Sequence, residues 1–409
     1  MVWIRIMQQY LFKLTNIIQN YPWGSKTSIH ELFGFENPLH EPQAEIWMGA
    51  HPNGCSKITQ NGKEVLLSSF IETNKHTILS RNTAEKFGEL PYLFKVLAAG
   101  KGLSIQVHPS KSEAEAGFER ENVQGIDIKS AKRNYRDANH KPELVYALTP
   151  YQAMDGFRAF NEIIDLFSDV VTKVSMPNVE ALLNDFKVNK TAAGIEGFFT
   201  GILSLESEAK RQSIEALMSY CSVQQHSEIE DDLSALVIEL SQSYPGDIGL
   251  FAPFILNVLT LQPGDAMYLD ARTPHAYLKG TALEIMANSD NVLRAGLTPK
   301  NIDIQELARC TLFEEKPRNT LLLTPKLEGN KQSYPVPVPD FKFDCFIKAE
   351  NETVKVNSAE ILFAIDSEVS ITHTSGEMIT LRKGESVFIP AYTRSYLLNS
   401  KGRIARAFN

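Results

Sequence analysis

Cysteine is scarce and scattered. The chain has 409 residues and only four cysteines, Cys55, Cys221, Cys310 and Cys345. No two lie close together, so there is no CxxC pair and no local cysteine knuckle for a metal. Four isolated thiols suit a reducing cytosol, where they serve as small core residues. No stretch reaches the roughly 18 apolar residues of a membrane helix, which argues against a membrane protein. Met1 to Gln19 alternates apolar and polar residues, with neither a continuous apolar run nor a small-residue cleavage site, and reads as no signal peptide. Met1 to Tyr10 reads as a loosely ordered extension. Basic charge is in deficit. Against 49 acidic residues stand 41 basic ones, a net charge of −8, which disfavours a nucleic-acid partner. No GxGxxG fingerprint and no GxxxxGK[ST] loop is present, which disfavours nucleotide chemistry.

What remains is an ordinary globular composition, 43% hydrophobic and 22% charged, long enough for two or three domains. Tyr92 to Ala98 and Leu103 to His108 read as strands around the Gly100-Lys101-Gly102 turn. From Phe160 to about Tyr244 the period changes. Ile163, Ile164, Phe167, Val170 and Val171 recur at helical spacing, as do Leu233, Leu236, Val237 and Leu240. Tyr244-Pro245-Gly246-Asp247 is the turn that closes this helical insert. Strand texture returns at Phe254, is interrupted by a short helix over Asn301 to Leu312, and continues to the end; Pro335 to Pro339 reads as an extended linker. A faint repeat relates Leu261–Tyr277 to Leu381–Leu397 at an offset of 120 residues, matching Gly264 with Gly384, Asp265 with Glu385 and Tyr268 with Phe388. Hairpin grammar alone also produces such a match. In it His275 falls opposite Ser395, so the second unit reads as structural.

Ser104, Gln106 and His108 alternate along one strand and share a face, with Leu103, Ile105 and Val107 on the other. Three polar side chains on one face call for a wet cavity or a ligand. Further on come Lys141-Pro142-Glu143 before an apolar strand, Thr273-Pro274-His275-Ala276-Tyr277, the strand Thr281 to Ala287 with Glu284 among apolar neighbours, and a turn-rich stretch bearing Arg294 and Lys300. Gln106, His108, Glu143 and His275 together offer two imidazoles, a carboxylate and an amide oxygen, a donor set that suits an open zinc site. Lys141, Arg294 and Lys300 would then draw an anion such as a phosphate ester. Taken singly, each has a plainer reading. His108 and His275 would be core histidines, Gln106 a strand polar residue, Lys141 and Glu143 a surface ion pair, Arg294 and Lys300 a solvated loop, and Glu284 the partner of an arginine. The other seven histidines, His30, His40, His51, His76, His140, His226 and His373, read as ordinary ones. The residues by themselves lead to a metal-dependent enzyme acting on a polar small molecule.

At these positions the sequence closely resembles the type I mannose-6-phosphate isomerase (phosphomannose isomerase) family. The motifs are Tyr21-Pro22-Trp23-Gly24-Ser25, Ala44-Glu45-Ile46-Trp47-Met48-Gly49, Leu103-Ser104-Ile105-Gln106-Val107-His108-Pro109, Asn139-His140-Lys141-Pro142-Glu143 and Asn291-Val292-Leu293-Arg294-Ala295-Gly296-Leu297-Thr298-Pro299-Lys300. They occur in family order from about residue 12 to 310. The resemblance implies a mainly β chain with two cupin-type (double-stranded β-helix, jelly-roll) barrels and an α-helical domain. The expected division is 11–155 with 246–315 as the metal-binding cupin, 156–245 as the helical insert, and 316–409 as a cupin-like domain without metal ligands. It implies one zinc on Gln106, His108, Glu143 and His275, a catalytic Arg294, and Ser104, Lys141 and Lys300 around the substrate or its phosphate. Tyr277 and Trp23 are expected to contact the sugar phosphate.

The chemistry implied is interconversion of mannose 6-phosphate and fructose 6-phosphate through an enediol(ate), linking glycolysis to activated-mannose synthesis or mannose catabolism in the cytoplasm. It needs an electrophile at the oxygens, a base over C1 and C2, and an anion clamp. Glu284 is the first candidate for the base, since apolar surroundings raise a carboxyl pKa; Lys141 is the second. The chain is expected to act as a monomer, an oligomer being left open, with no nucleic-acid or membrane partner. Two other functions compete: a redox cupin (a metal-dependent decarboxylase or oxygenase), which Gln106 in a histidine's place weakens, and a non-enzymatic sugar-binding cupin module, which would need neither base nor metal.

Overall fold

The computed structural model describes residues 8–224 and 232–409, which form two compact units. His226 and the first seven residues of the N-terminal extension lie outside them. One unit comprises residues up to Ala98, Leu283–Asn288 and Leu323–Asn409; the other comprises Ala99–Ala282 and Ser289–Leu322. The chain is mainly β, with a helical insert.

The second unit carries seven strands: β1 (Gln106–Val107), β2 (Glu143–Ala147), β3 (Tyr151–Phe157), β4 (Leu256–Leu261), β5 (Ala266–Leu269), β6 (His275–Ala287, of which residues to Ala282 belong to this unit) and β7 (Leu293–Arg294). They pair antiparallel, β4 with β3, β5 with β2, β6 with β3 and β1, and β7 with β1. The strand expected over Leu103 to His108 is ladder-paired only at Gln106–Val107, and Pro109, lacking an N–H, follows it. Its flanks are still hydrogen-bonded, Leu103 N to Tyr277 O and Ile105 N to Gly296 O, so the alternation of faces survives. The stretches containing His275 and Glu284 are one strand of 13 residues rather than two. Gly280 sits within it at φ 109°, where a Cβ would lie 2.3 Å from Pro150 O.

Between β3 and β4 the helices Phe160–Lys173, Pro177–Val188, Ala192–Leu203, Ser207–Gln224 and Leu233–Ser243 follow one another. Their starts are conventional. Pro177 occupies a first-turn position, Thr191 accepts from Gly194 N, and Asp232 accepts from Ser234 N and Ala235 N. Ile163, Ile164, Phe167, Val170, Leu236, Val237 and Leu240 are buried, and they share one core with Ile105, Val107, Ala276, Leu293 and Leu297 of the strand region. The insert therefore shares an apolar core with strands beneath the site, since an amphipathic helix must bury its stripe somewhere.

In the first unit a seven-stranded sheet and a four-stranded sheet bury one core between them, with Leu362, Val387 and Ile389 from one and Ile371, Tyr396 and Leu398 from the other. Phe12–Lys13, near the start of the chain, pairs with Ser386–Ile389 in this sheet, a partnership no local pattern signals. Tyr10 is held rather than loose. Its ring stacks on His373 at 3.7 Å and its N–H donates to Glu377 Oε2 at 2.8 Å. Pro335 to Pro339 connects the antiparallel partners Lys331–Tyr334 and Lys342–Phe346, so it is a hairpin connection and not a linker between domains. All four cysteines are free and buried. Among the described residues no helix is long and apolar enough to cross a membrane.

Candidate functional site

Backbone register assembles the site. Gln106 on β1 lies opposite His275 on β6 and, across its other edge, opposite Arg294 on β7. One row across three strands thus carries an amide, an imidazole and a guanidinium. Glu143 opens β2, opposite Leu269 of β5.

His108, Glu143 and His275 are all buried, and one ligand atom from each lies within 4.8 Å of the others. Among the described residues this is the only such group of His, Cys, Asp or Glu side chains. His108 Nε2 is 3.3 Å from Glu143 Oε1, and His275 Nε2 is 3.7 Å from Glu143 Oε2. The other ring nitrogens fix the tautomers. His108 Nδ1 is 2.7 Å from Asn291 O and His275 Nδ1 is 2.8 Å from Thr273 O. A carbonyl only accepts, so both Nδ1 atoms carry the proton and both Nε2 lone pairs face the centre. His108 Nε2 is buried without a hydrogen-bond partner among the described residues. Burial, then Lys141, pushes the His108 pKa down to about 4, and burial also lowers that of His275, so both rings are neutral ligands at neutral pH. Against the opposing cost of burial, Lys141 and His108 hold the Glu143 carboxyl well below the usual range. An orphaned imidazole nitrogen, a second neutral imidazole and an ionised carboxylate converging in a buried pocket fit a divalent metal, and the N/O donor set fits zinc.

Supporting contacts orient these groups. Tyr277 Oη donates to Glu143 Oε2 at 2.6 Å and so orients the carboxylate. Lys141 Nζ lies 3.1 Å from Glu143 Oε1, and Gln106 Nε2 points to Ser104 Oγ at 3.4 Å. Among the described residues, neither Arg294 nor Lys300 has a carboxylate partner. Burial and then Arg136 depress the Arg294 pKa; Arg294, then burial, then Arg136 depress that of Lys300. Three neighbouring cations without a carboxylate partner among the described residues have the charge that suits a polyanion.

Nothing in the sequence pattern singles out Arg136, and Asn291 enters there only as the first residue of a motif. Asn291 is fully buried and clips the loop before Glu143: its Oδ1 accepts from Arg136 N at 2.7 Å, and its Nδ2 donates to Asp137 O and Asn139 O. Glu284 and Trp23 are not among the residues this unit brings together. Trp23 stacks on Tyr21 in the first unit. Glu284, expected in apolar surroundings or beside an arginine, receives a lysine: Lys95 Nζ is 2.8 Å from its Oε2 and 3.7 Å from Glu45 Oε1. Lys95 was missed, although a lysine inside the fully buried strand Tyr92–Ala99 had to find a carboxylate.

Residues 11–160 match the family description "Phosphomannose isomerase type I, catalytic domain", residues 170–256 its helical insertion domain, and residues 330–409 the cupin domain of mannose-6-phosphate isomerase. The mannose-6-phosphate isomerase of Escherichia coli strain K12 is 46% identical over 97% of this chain and 99% of its own length. The Homo sapiens protein of that name is 35% identical over 93% of each. A solved variant of phosphomannose isomerase from Salmonella typhimurium has a TM-score of 0.93 and 44% identity over 98% of this chain and 100% of that one. A zinc-bound mannose 6-phosphate isomerase structure has a TM-score of 0.91, also at 44% identity, over 98% of this chain and 100% of its own. The chain belongs to the type I phosphomannose isomerase family.

Proposed function

We propose that the chain interconverts mannose 6-phosphate and fructose 6-phosphate, with zinc held by Gln106, His108, Glu143 and His275. The observation that carries the reading is the convergence of ligand atoms from three buried side chains within 4.8 Å in the unit that also holds Arg294, Arg136 and Lys300. Zinc, when bound, supplies a Lewis acid at sugar oxygens without redox chemistry.

The chain's own residues do the rest. Lys300 and Arg136 receive the phosphate, with Ser104 beside Gln106. Arg294, in the same register row as Gln106 and His275, stabilises negative charge as it develops on the enediolate oxygens. The base takes the C2 proton of the open-chain aldose and returns it to C1, while the hydroxyl proton moves from O2 to O1; the sequence is redox-neutral. Both candidates for the base are ion-paired, Glu284 with Lys95 and Lys141 with Glu143; Lys141 is taken as the base because it stands in the unit that holds the metal ligands. The division into 11–155 with 246–315, 156–245 and 316–409 belongs to this proposal. So does a cytoplasmic setting, which four free, buried thiols suit.

The test is incubation of the purified chain with fructose 6-phosphate in D₂O, with and without a chelator, followed by NMR. Mannose 6-phosphate formed only by the metal-replete protein is the expected result. Absence of conversion by the replete protein would overturn the proposal.

A further inference from the structure

One carboxylate joins the exit of the helical insert to the turn that carries Lys300. Asp247 follows the Tyr244-Pro245-Gly246 turn and caps the 3₁₀ turn Ile248–Phe251, accepting from Gly249 N at 2.7 Å. A cap needs no more than that. Yet Oδ1 also accepts from Leu297 N at 2.7 Å, and Oδ2 accepts from Thr298 N at 3.1 Å. Three amide protons from two segments about 50 residues apart therefore share one charged acceptor, a stronger arrangement than neutral hydrogen bonds.

The backbone at this joint is unusual. Leu297 lies at φ 51°, a left-handed conformation that strains a residue other than glycine. It persists because the side chain is buried in the core shared with the insert and the N–H is taken by Asp247. Gly296 is at φ 126°, and a Cβ there would lie 2.6 Å from Gly249 Cα; a Cβ on Gly249 would lie 2.5 Å from Leu297 N. Two glycines let the segments touch, and Asp247 takes the amides that no strand ladder serves.

The chain is held differently on the two sides of the joint. Upstream, Arg294 is in the β7–β1 ladder, with Ala295 N donating to Ile105 O and Ile105 N to Gly296 O. Downstream, Lys300 is held locally, its N–H donating to Thr298 Oγ1 at 3.2 Å.

We propose that Asp247 is a positioning residue for the phosphate site: by fixing the Leu297–Thr298 turn it sets where Lys300 stands relative to Arg294, and so makes the exit of the helical insert part of the substrate-binding apparatus. The inference rests on the reading of Lys300 as a phosphate ligand. It distinguishes Lys300, which depends on Asp247, from Arg294, which the ladder holds.

The test uses the zinc-replete full chain, with Asp247→Ala and Asp247→Asn. Inorganic phosphate binding is followed by ³¹P NMR and isomerisation by steady-state kinetics. Loss of one charge-assisted acceptor predicts a roughly 10-fold weaker phosphate affinity and a matching rise in KM for Asp247→Ala. Asp247→Asn keeps an oxygen for Gly249 and Leu297 but not for Thr298, so about 3-fold is expected. Bound zinc is unchanged and kcat moves less than KM. In a Lys300→Ala background either substitution has little further effect, because both act through one group. Parental phosphate affinity in both variants, or effects that add fully to that of Lys300→Ala, would overturn the inference. If Asp247→Ala fails to fold, the near-isosteric Asp247→Asn decides on the same readings. If the parental chain binds phosphate but does not isomerise, the functional reading has failed, and the ³¹P titrations still decide for or against Asp247.

Discussion

The hydroxyl of Tyr277 donates to Glu143 Oε2 at 2.6 Å, both residues being buried, and it holds that carboxylate toward His108 and His275. A contact of this kind orients a metal ligand, and its loss ordinarily costs about 10–100-fold in metal affinity. Tyr277→Phe keeps the ring and removes only the donor. We expect zinc affinity, measured by competition with a chromogenic chelator, to fall within that range, with activity recovering in excess zinc. Unchanged affinity would mean that Glu143 is held well enough by Lys141 alone.

The same relationship recurs in the C-terminal β region, where the carboxylate meets an arginine. Glu143-Leu144-Val145-Tyr146-Ala147 corresponds to Glu360-Ile361-Leu362-Phe363-Ala364, and Tyr396 Oη donates to Glu360 Oε1 at 2.6 Å. The hairpins match bond for bond: Gly264 N to Ala147 O against Gly384 N to Ala364 O, and Asp265 N to Gln262 O against Glu385 N to Arg382 O. Here Glu360 accepts from the buried Arg406, at 2.6 Å from Nη2. Glu360→Ala should therefore strand a buried guanidinium, at a cost of about 3–5 kcal/mol softened by Asp344 nearby. Thermal unfolding should show the loss, while isomerisation assayed well below the melting temperature stays near parental. A melting temperature equal to the parent's would show that Asp344 alone balances Arg406.

That correspondence marks how far the sequence could be read. The offset pairing of Gly264 with Gly384 was visible because turn glycines and capping acids are local devices, and the structure uses both glycines at positive φ. The Glu143–Glu360 match was not seen, because its meaning lies in what each carboxylate meets: imidazoles in one case, Arg406 in the other. Strand alternation likewise put Ser104, Gln106 and His108 on one face before any coordinates. Partners far apart in the chain were beyond it. Lys95 and Glu284 are separated by 189 positions, and neither strand's pattern names the other. Arg136 and Asn291 were opaque for a similar reason: nothing local distinguishes a loop arginine in solvent from one that faces two other cations.

The two candidates for the base separate by mutation. Lys141→Met removes the amine while leaving the ligand set intact, and should reduce exchange of solvent deuterium into the sugar by about 100-fold or more, the usual scale of a lost general base. Glu284→Gln weakens the pair with Lys95 and should leave substantially more exchange. Zinc content must be equal in both variants for the comparison to hold. Near-parental exchange in Lys141→Met, with its loss in Glu284→Gln, would reverse the assignment.

Lys300 gives the pH dependence its sign. Arg294 first, then burial and Arg136, depress its pKa below the ordinary 10.5. A lysine is charged below its pKa, so a depressed value means that the free protein loses this charge earlier as pH rises. Phosphate binding should weaken through that lowered pKa, and kcat/KM, which reports the free enzyme, should fall on an alkaline limb lying below 10.5. A bound phosphate dianion offsets the repulsion from Arg294, so the same group in the complex holds its proton longer and kcat should persist to higher pH. Lys300→Arg keeps the charge throughout the accessible range and should erase the limb in kcat/KM, whatever it does to the absolute rate. A limb that survives in Lys300→Arg would assign the titration to another group and remove Lys300 from the phosphate site.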